Sequence, residues 1–235
     1  EEGTEEIRAL ATAFNTMAHD LARHEKDRSE VLAGISHDLR TPLTRLRLEI
    51  EMSVSDTAAQ QGMSADIEQM EAVISQFMDY ARTESGEPPS RTDLAALLST
   101  LHERQHAIGR TFALSLAPGL EAVLLRPKAI NRAVVNLLDN AWKYGGGATR
   151  LEAAHHGNEI HITITDCGPG IPDSEQERLK RPFTRLNTAR TDVTGTGLGL
   201  AIVERIARLH DGRLELSPNP GGGLIARLIL RREVA

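Results

Sequence analysis

Apolar residues at Ile7, Leu10, Phe14, Met17 and Leu21 fall alternately three and four positions apart. That spacing is the a/d seam of a coiled coil, sustained for about two heptads. From His24 to Glu30 the seam loses its apolar residues, and it resumes as Leu32, Ile35, Leu39, Leu43, Leu46 and Ile50. Residues 53–65 are small and polar, include Gly62, and predict a turn. A second helical stripe follows: Ile67, Met70, Ile74, Phe77 and Ala81. Two such helices joined by a short loop make an antiparallel hairpin. A lone hairpin leaves apolar surface uncovered, so two copies pairing into a four-helix bundle is the expected solution.

The cluster Gly86-Glu87-Pro88-Pro89-Ser90 breaks the helical pattern and marks the expected domain boundary. Beyond it the periodicity is mixed. Leu94, Leu97, Leu98 and Leu101 predict a helix, and Phe112, Leu114 and Leu116 a strand. Another helix is expected from Pro127 to Lys143, then a strand at Ile160, Ile162 and Ile164 with Leu151 and Ala153 on its hairpin partner. Ser174-Glu175-Gln176-Glu177 has the spacing of a capping box. A glycine-rich loop runs into a helix over 195–209, and Leu214–Leu216 and Leu224–Leu230 supply the last strands. Helices and a mixed sheet in this length predict a two-layer α/β sandwich.

Composition narrows the function classes. The 235 residues carry 27 Lys and Arg against 33 Asp and Glu, a formal net charge of −6, which disfavours unspecific nucleic-acid binding. Hydrophobic residues make up 40 %, enough for a core, but only 1 Trp, 2 Tyr and 4 Phe are present, so the cores are aliphatic. The single cysteine, Cys167, excludes an intramolecular disulfide. No run approaches the ~18 apolar residues that span a bilayer. The sequence starts Glu1-Glu2-Gly3 without an initiator Met and reads as a piece of something longer.

Four constellations carry chemistry. In Ser36-His37-Asp38-Leu39-Arg40-Thr41-Pro42 the stripe takes Ile35 and Leu39, which turns His37 away from it. Asp38 then suits one ring nitrogen, leaving the other as a nucleophile. Thr41 shares the His37 face one turn on, and Pro42 weakens the helix there. Asn136 and Asn140 lie one turn apart and offer two amide carbonyls to hydrated Mg²⁺ and phosphates, with Lys143 and Tyr144 following. Asp166, in Asp166-Cys167-Gly168-Pro169-Gly170-Ile171, is acceptor-only when ionised, so it favours the amine of adenine over the carbonyl of guanine. The same string is also an ordinary turn. Gly195-Thr196-Gly197-Leu198-Gly199 opens a helix whose free N–H groups suit polyphosphate. It is neither a Walker loop nor a dinucleotide fingerprint. Residues 172–194, with Phe183, Arg185 and Arg190, have the look of a mobile lid. His102-Glu103-Arg104-Gln105-His106 matches the zinc-protease spacing but has no third ligand downstream, and is read as a chance match.

In this order the four strings resemble the H, N, G1 and G2 boxes of bacterial sensor histidine kinases, and Arg181-Pro182-Phe183 resembles the F box. Residues 1–28, with Ala13-Phe14-Asn15-x-Met17-Ala18, look like the end of a HAMP relay module, and Ser36–Arg45 with Arg82-Thr83 is similar to the EnvZ-type osmosensor kinases. The resemblance implies a multi-domain chain: 1–28 relay helix, 29–85 dimerisation and phosphotransfer hairpin, 86–92 linker, 93–235 ATP-binding sandwich of the histidine-kinase/Hsp90-like type. It implies His37 as phosphoacceptor with Asp38 orienting it, Asn140 as the Mg²⁺ ligand, Asn136 and Lys143 on phosphate, and Asp166 on adenine. Tyr144, Gly168, Gly170, Ile171, Phe183, Arg185, Arg190 and Gly195, Thr196, Gly197, Leu198 and Gly199 complete the ATP site. It also implies a homodimer, a response-regulator receiver domain as partner, no nucleic acid, and a transmembrane sensor upstream, this chain being the cytoplasmic portion of a bacterial inner-membrane protein. Thr41 is the expected residue for phosphatase action on that regulator. Cys167 and Trp142 depart from the usual boxes. Two rivals stand beside this reading. Other ATPases of the Hsp90/gyrase type lack the His37 hairpin, and a silent signalling scaffold is disfavoured by Asn140, Asp166 and Gly197.

Overall fold

The computed structural model describes residues 2–53, 56–82, 87–120, 123–186 and 195–232. They divide into two units, Glu1–Ser85 and Gly86–Ala235.

The first unit is two helices. α1 (Glu2–Ser53) runs without interruption through the polar stretch 24–30 and through Pro42. Residues 24–30 contain no Gly or Pro, so helix propensity carries through although the apolar seam lapses there. α2 (Thr57–Arg82) begins eight residues before the end of the expected 53–65 turn. The reason is Asp56, whose Oδ1 accepts from the N–H groups of Ala58 at 2.9 Å and Ala59 at 3.4 Å. Such a cap starts a helix wherever the following residues tolerate one, and Gly62 is simply carried inside it. α1 and α2 pack together and bury Leu43, Ile67 and Met78. The intrachain face of α2 is thus centred on Ile67 and Met78 rather than on the whole expected stripe. Met70, Val73, Ile35, Leu39 and Leu46 stay between 43 % and 49 % exposed. The N-terminal seam residues Ile7, Leu10, Phe14 and Met17 are 61 % to 72 % exposed.

The second unit has a five-stranded mixed sheet. Its strands are β2 (Ala113–Leu116), β4 (Ala148–His156), β5 (Glu159–Asp166), β6 (Arg213–Pro218) and β7 (Leu224–Arg231), in the order β2-β4-β5-β7-β6. β2 is parallel to β4, and every other pairing is antiparallel. β5 alternates half-buried and buried residues, and Ile160, Ile162 and Ile164 fill the inner face. That face packs under α4 (Pro127–Tyr144) and α6 (Gly199–Leu209), with α3 (Leu94–Ala107) beside α4 and β2. The helices contribute Leu98, Ile130, Val134, Leu138, Ile202 and Ile206, all fully buried. The outer face is polar: Arg213 bonds Glu159 and Glu215, and the Glu159 carboxyl is held below its usual range by Arg213 and then by His161.

Two local expectations change. The stretch 86–92 is not a bare linker, because β1 (Ser90–Thr92) pairs antiparallel with β3 (Val123–Leu125) as a separate two-stranded sheet. The short helix α5 (Asp173–Leu179) is preceded by Pro172 with no side-chain cap, so Ser174 lies inside it rather than capping it.

Candidate functional site

Ser36–Arg45 lies wholly within α1. The side chains of Ser36 and His37 lie outside the described residues. Asp38, Arg40, Thr41 and Pro42 are exposed, and Leu43 is buried on the other side.

Asn136, Asn140, Tyr144, Asp166, Gly168, Gly195 and Gly199 meet at one end of the second unit. α4 is strongly amphipathic, so its buried side (Ile130, Val134, Leu137, Leu138, Ala141) leaves Asn136 and Asn140 together on a half-exposed strip. Asn136 Nδ2 donates to the Arg132 carbonyl at 2.9 Å, which turns its Oδ1 outward. A Cβ built on Gly199 would stand 3.3 Å from Asn140 Oδ1 and 3.4 Å from Asn136 Oδ1. Both amides therefore face the first turn of α6. The residue before that turn, Leu198, offers no side-chain cap, which leaves the positive end of the helix to a ligand. Tyr144 places its hydroxyl where a Cβ on Gly195 would collide with it, so the G2 loop lies over the end of α4. Lys143 and Tyr144 are exposed there.

Asp166 ends β5 and is only 8 % exposed. Its Oδ1 accepts from Gly168 N at 2.9 Å and Leu224 N at 3.0 Å. Among the described residues both bonds fall on that oxygen, and Oδ2 is left for a ligand. The loop reaches this position because Gly168 lies against the backbone of Tyr144 and Gly145, where a Cβ would stand 2.7 Å from the Tyr144 carbonyl oxygen. Gly170 and the half-buried Ile171 continue the loop, and Cys167 is exposed beside Asp166.

The expected lid is in part well tied. Phe183 N donates to Gly197 O at 3.0 Å, Thr184 Oγ1 to Arg178 O at 2.8 Å, and Arg178 Nη2 to Arg185 O at 3.0 Å. Phe183 is 63 % exposed and held at φ 60°, a left-handed conformation uncommon for a bulky residue. Arg190 lies outside the described residues.

Leu198 sends its side chain into the core under α6, where it is fully buried, and its N–H donates to Thr196 Oγ1 at 3.3 Å, so only its backbone lies in the glycine-rich loop. The helix periodicity that buries Ile202 and Ile206 also buries the residue one turn before them. His102 is occupied structurally, with Nε2 on the Phe112 carbonyl at 3.0 Å and its ring edge-on to Phe112 at 5.0 Å. Among the described residues no cluster of three His, Cys, Asp or Glu is arranged to hold a metal. Trp142 faces away from Asn140 and takes Arg110 over its ring at 5.8 Å, while Arg110 pairs with Asp139 at 2.7 Å.

Two contributors to the site were not foreseen. Leu224 N holds Asp166, and Asn219 Nδ2 donates to the Asp166 carbonyl at 3.0 Å. The Pro218-Asn219-Pro220-Gly221 composition signals a turn and nothing about where the turn lands.

Residues 126–234 match the family described as histidine kinase-, DNA gyrase B- and HSP90-like ATPase, which makes the second unit an ATP-binding domain of that class. Residues 27–86 match the His Kinase A phospho-acceptor domain. The sensor histidine kinase GtrS of Pseudomonas aeruginosa is 35 % identical over 99 % of this chain and 48 % of its own length. The sensor protein RstB of Escherichia coli is 34 % identical over 91 % of this chain and 51 % of its own. The solved histidine kinase domain of the E. coli osmosensor EnvZ is 37 % identical, with TM-score 0.50 over 65 % of this chain and 94 % of that domain. This chain belongs to the sensor histidine kinases of two-component systems. It spans about half the length of the curated relatives it matches.

Proposed function

We propose that the chain phosphorylates its own His37 from ATP and passes the phosphoryl group to an aspartate on a response-regulator receiver domain. The observation that carries the reading is Asp166, a nearly buried carboxylate with one oxygen fixed by Gly168 and Leu224 and the other left for a ligand. Such a group accepts from the exocyclic amine of adenine and repels a 6-carbonyl. Asn136 and Asn140, aimed at the start of α6, fit the other end of the nucleotide.

Mg²⁺ suits this donor set, since it takes oxygen ligands from one or two side chains and completes its shell with phosphate and water. Asn140 would hold it with Asn136 and Lys143 beside the phosphates, and bound there it neutralises charge on them. One imidazole nitrogen of His37 attacks the γ-phosphorus as the bond to the ADP oxygen breaks, and Asp38 takes up the proton on the other nitrogen. We assign Tyr144, Gly168, Gly170, Ile171, Thr196 and Gly197 to the base and phosphates, and Phe183, Arg185 and Arg190 by their place in the sequence to the same nucleotide. Residues 1–28 act as the end of a HAMP relay helix and 29–85 as the phosphotransfer hairpin. The uncovered strip of Ile35, Leu39, Leu46, Met70 and Val73 supports a homodimer through the hairpin. We further assign the chain to the cytoplasmic portion of an inner-membrane sensor, with Thr41 serving a phosphatase reaction on the regulator.

The test is incubation with γ-labelled ATP. Wild type should take up acid-labile, alkali-stable label, and His37→Gln should take up none while binding ATP unchanged. Mixing His37→Gln with Asn140→Ala chains restores labelling only if phosphate crosses between subunits of a dimer. Label persisting on His37→Gln at a comparable rate refutes the assignment.

A further inference from the structure

The turn between β6 and β7 does more than reverse the chain. Asn219 N donates to Gly223 O at 3.0 Å, Gly222 N to Asn219 O at 2.8 Å, and Gly221 N to Asn219 Oδ1 at 3.4 Å. These three bonds close the turn. The amide nitrogen of the same side chain then leaves the turn altogether: Nδ2 donates to the Asp166 main-chain carbonyl at 3.0 Å as well as to Gly222 O at 2.9 Å. Two residues after the turn closes, Leu224 N reaches the Asp166 carboxylate. Between them Gly223, at φ 110°, lies so close that a Cβ would stand 2.6 Å from the Asp166 carbonyl carbon and 2.8 Å from Oδ1. The hairpin tip therefore grips Asp166 at both its main-chain carbonyl and its carboxyl group.

We infer that Asn219 is a positioning residue for base selection, setting through Asp166 how strongly the site prefers a 6-amino purine over a 6-oxo purine. The inference rests on reading Asp166 as the adenine-recognising group. The physical argument concerns rigidity. A carboxylate meets an amine by accepting its hydrogen, and any of several rotamers can do that. It rejects a carbonyl only if it cannot swing aside, because repulsion between two acceptors is relieved by a small rotation. Discrimination therefore depends on the grip more steeply than affinity does. Nδ2 is the one side-chain donor among the described residues that holds the Asp166 main chain from the hairpin.

Asn219→Asp separates this role from turn formation. Aspartate retains the backbone bonds and an oxygen for Gly221 N, and replaces the Nδ2 donor with an acceptor facing the Asp166 carbonyl. Asn219→Ser, whose hydroxyl is too short to span the gap, is read beside it, and thermal melts establish that each variant is folded. Pro220→Ala, in the same turn and without a bond to Asp166, is the control. Binding of ATP and of ITP, which carries a 6-carbonyl, is measured by calorimetry on the full chain, with initial autophosphorylation rates at varied ATP. Loss of one hydrogen bond should shrink the ATP-over-ITP preference about three- to tenfold in the Asn219 variants. The KM for ATP should rise with little change in kcat, and Pro220→Ala should match wild type. A wild-type preference in folded Asn219→Asp or Asn219→Ser, while Asp166→Asn loses it, overturns the inference and leaves Asp166 in its role. Equal loss in Pro220→Ala also overturns it, since turn integrity alone would then explain the effect. A wild-type preference in Asp166→Asn removes the underlying reading and this inference together.

Discussion

Glu87 offers the sharpest test of how the second unit is assembled. The first N–H groups of α4 have no partner inside the helix, and their bonds can be traced one by one. Arg126 N donates to His210 Nε2 at 3.1 Å, and Pro127 has no N–H. Lys128 N reaches Glu87 Oε1 at 3.0 Å and Ala129 N reaches Oε2 at 3.1 Å, after which Ile130 N bonds Arg126 O at 3.0 Å and the helix continues. Arg126 itself supplies no side-chain cap, so a residue 40 positions or so upstream does the capping. Arg126 Nη1 also donates to the Glu87 carbonyl. Losing a cap costs ~0.5–2 kcal/mol. Losing a negative charge at the positive helix end adds ~0.3–1 kcal/mol before screening. Water reaches the Lys128 side of the cap, so we expect Glu87→Ala to cost about 1–2 kcal/mol. For a unit of this size that lowers Tm by ~2–8 °C. Glu87→Gln keeps one acceptor and should lose about half as much. Circular-dichroism melts and urea titrations of the full chain, at low and high salt, measure both. A Glu87→Ala change below ~0.3 kcal/mol, or a Gln variant as damaged as Ala, refutes the capping account.

His210 predicts a pH dependence. Because Arg126 N donates to Nε2, the ring is neutral with its proton on Nδ1, which donates to Ile206 O at 2.8 Å. Burial pushes its pKa below the ordinary value, with Arg126 also lowering it and the Ile206 hydrogen bond, Glu87 and Asp211 opposing. The unfolded chain therefore binds the proton first as pH falls through about 6.5, and stability is lost on acidification at up to ~1.4 kcal/mol per pH unit. Urea unfolding at pH 7.5, 6.5 and 5.5 should show a smaller loss for His210→Gln than for wild type, and identical slopes would contradict this. Thr41→Ala should keep most ATP-dependent labelling of His37 and lose phosphatase action on purified phospho-regulator, and an unchanged phosphatase rate would end that assignment.

Periodicity and local chemistry alone determined much of this protein. The three-and-four spacing named both long helices, and the alternation of Ile160, Ile162 and Ile164 named the central strand with its hairpin partner. The order of the four boxes, each a few contiguous residues, named the family. These features are legible because a helix face or a β-face is written in neighbours of known spacing. Even locally the reading slipped at the start of α2, where one capping aspartate outweighed a polar composition. Tertiary structure decided what depends on residues far apart in the chain. Pairing of β1 with β3, capping of α4 by Glu87, and the hold of Asn219 and Leu224 on Asp166 join segments tens of residues apart. Each uses a backbone N–H or carbonyl as partner, and every residue has those groups, so the sequence carries no mark of where such a bond will form. Leu198 shows the same limit from the other side. A glycine-rich string places it in a phosphate loop, and only the packing of α6 on the sheet turns its side chain into the core.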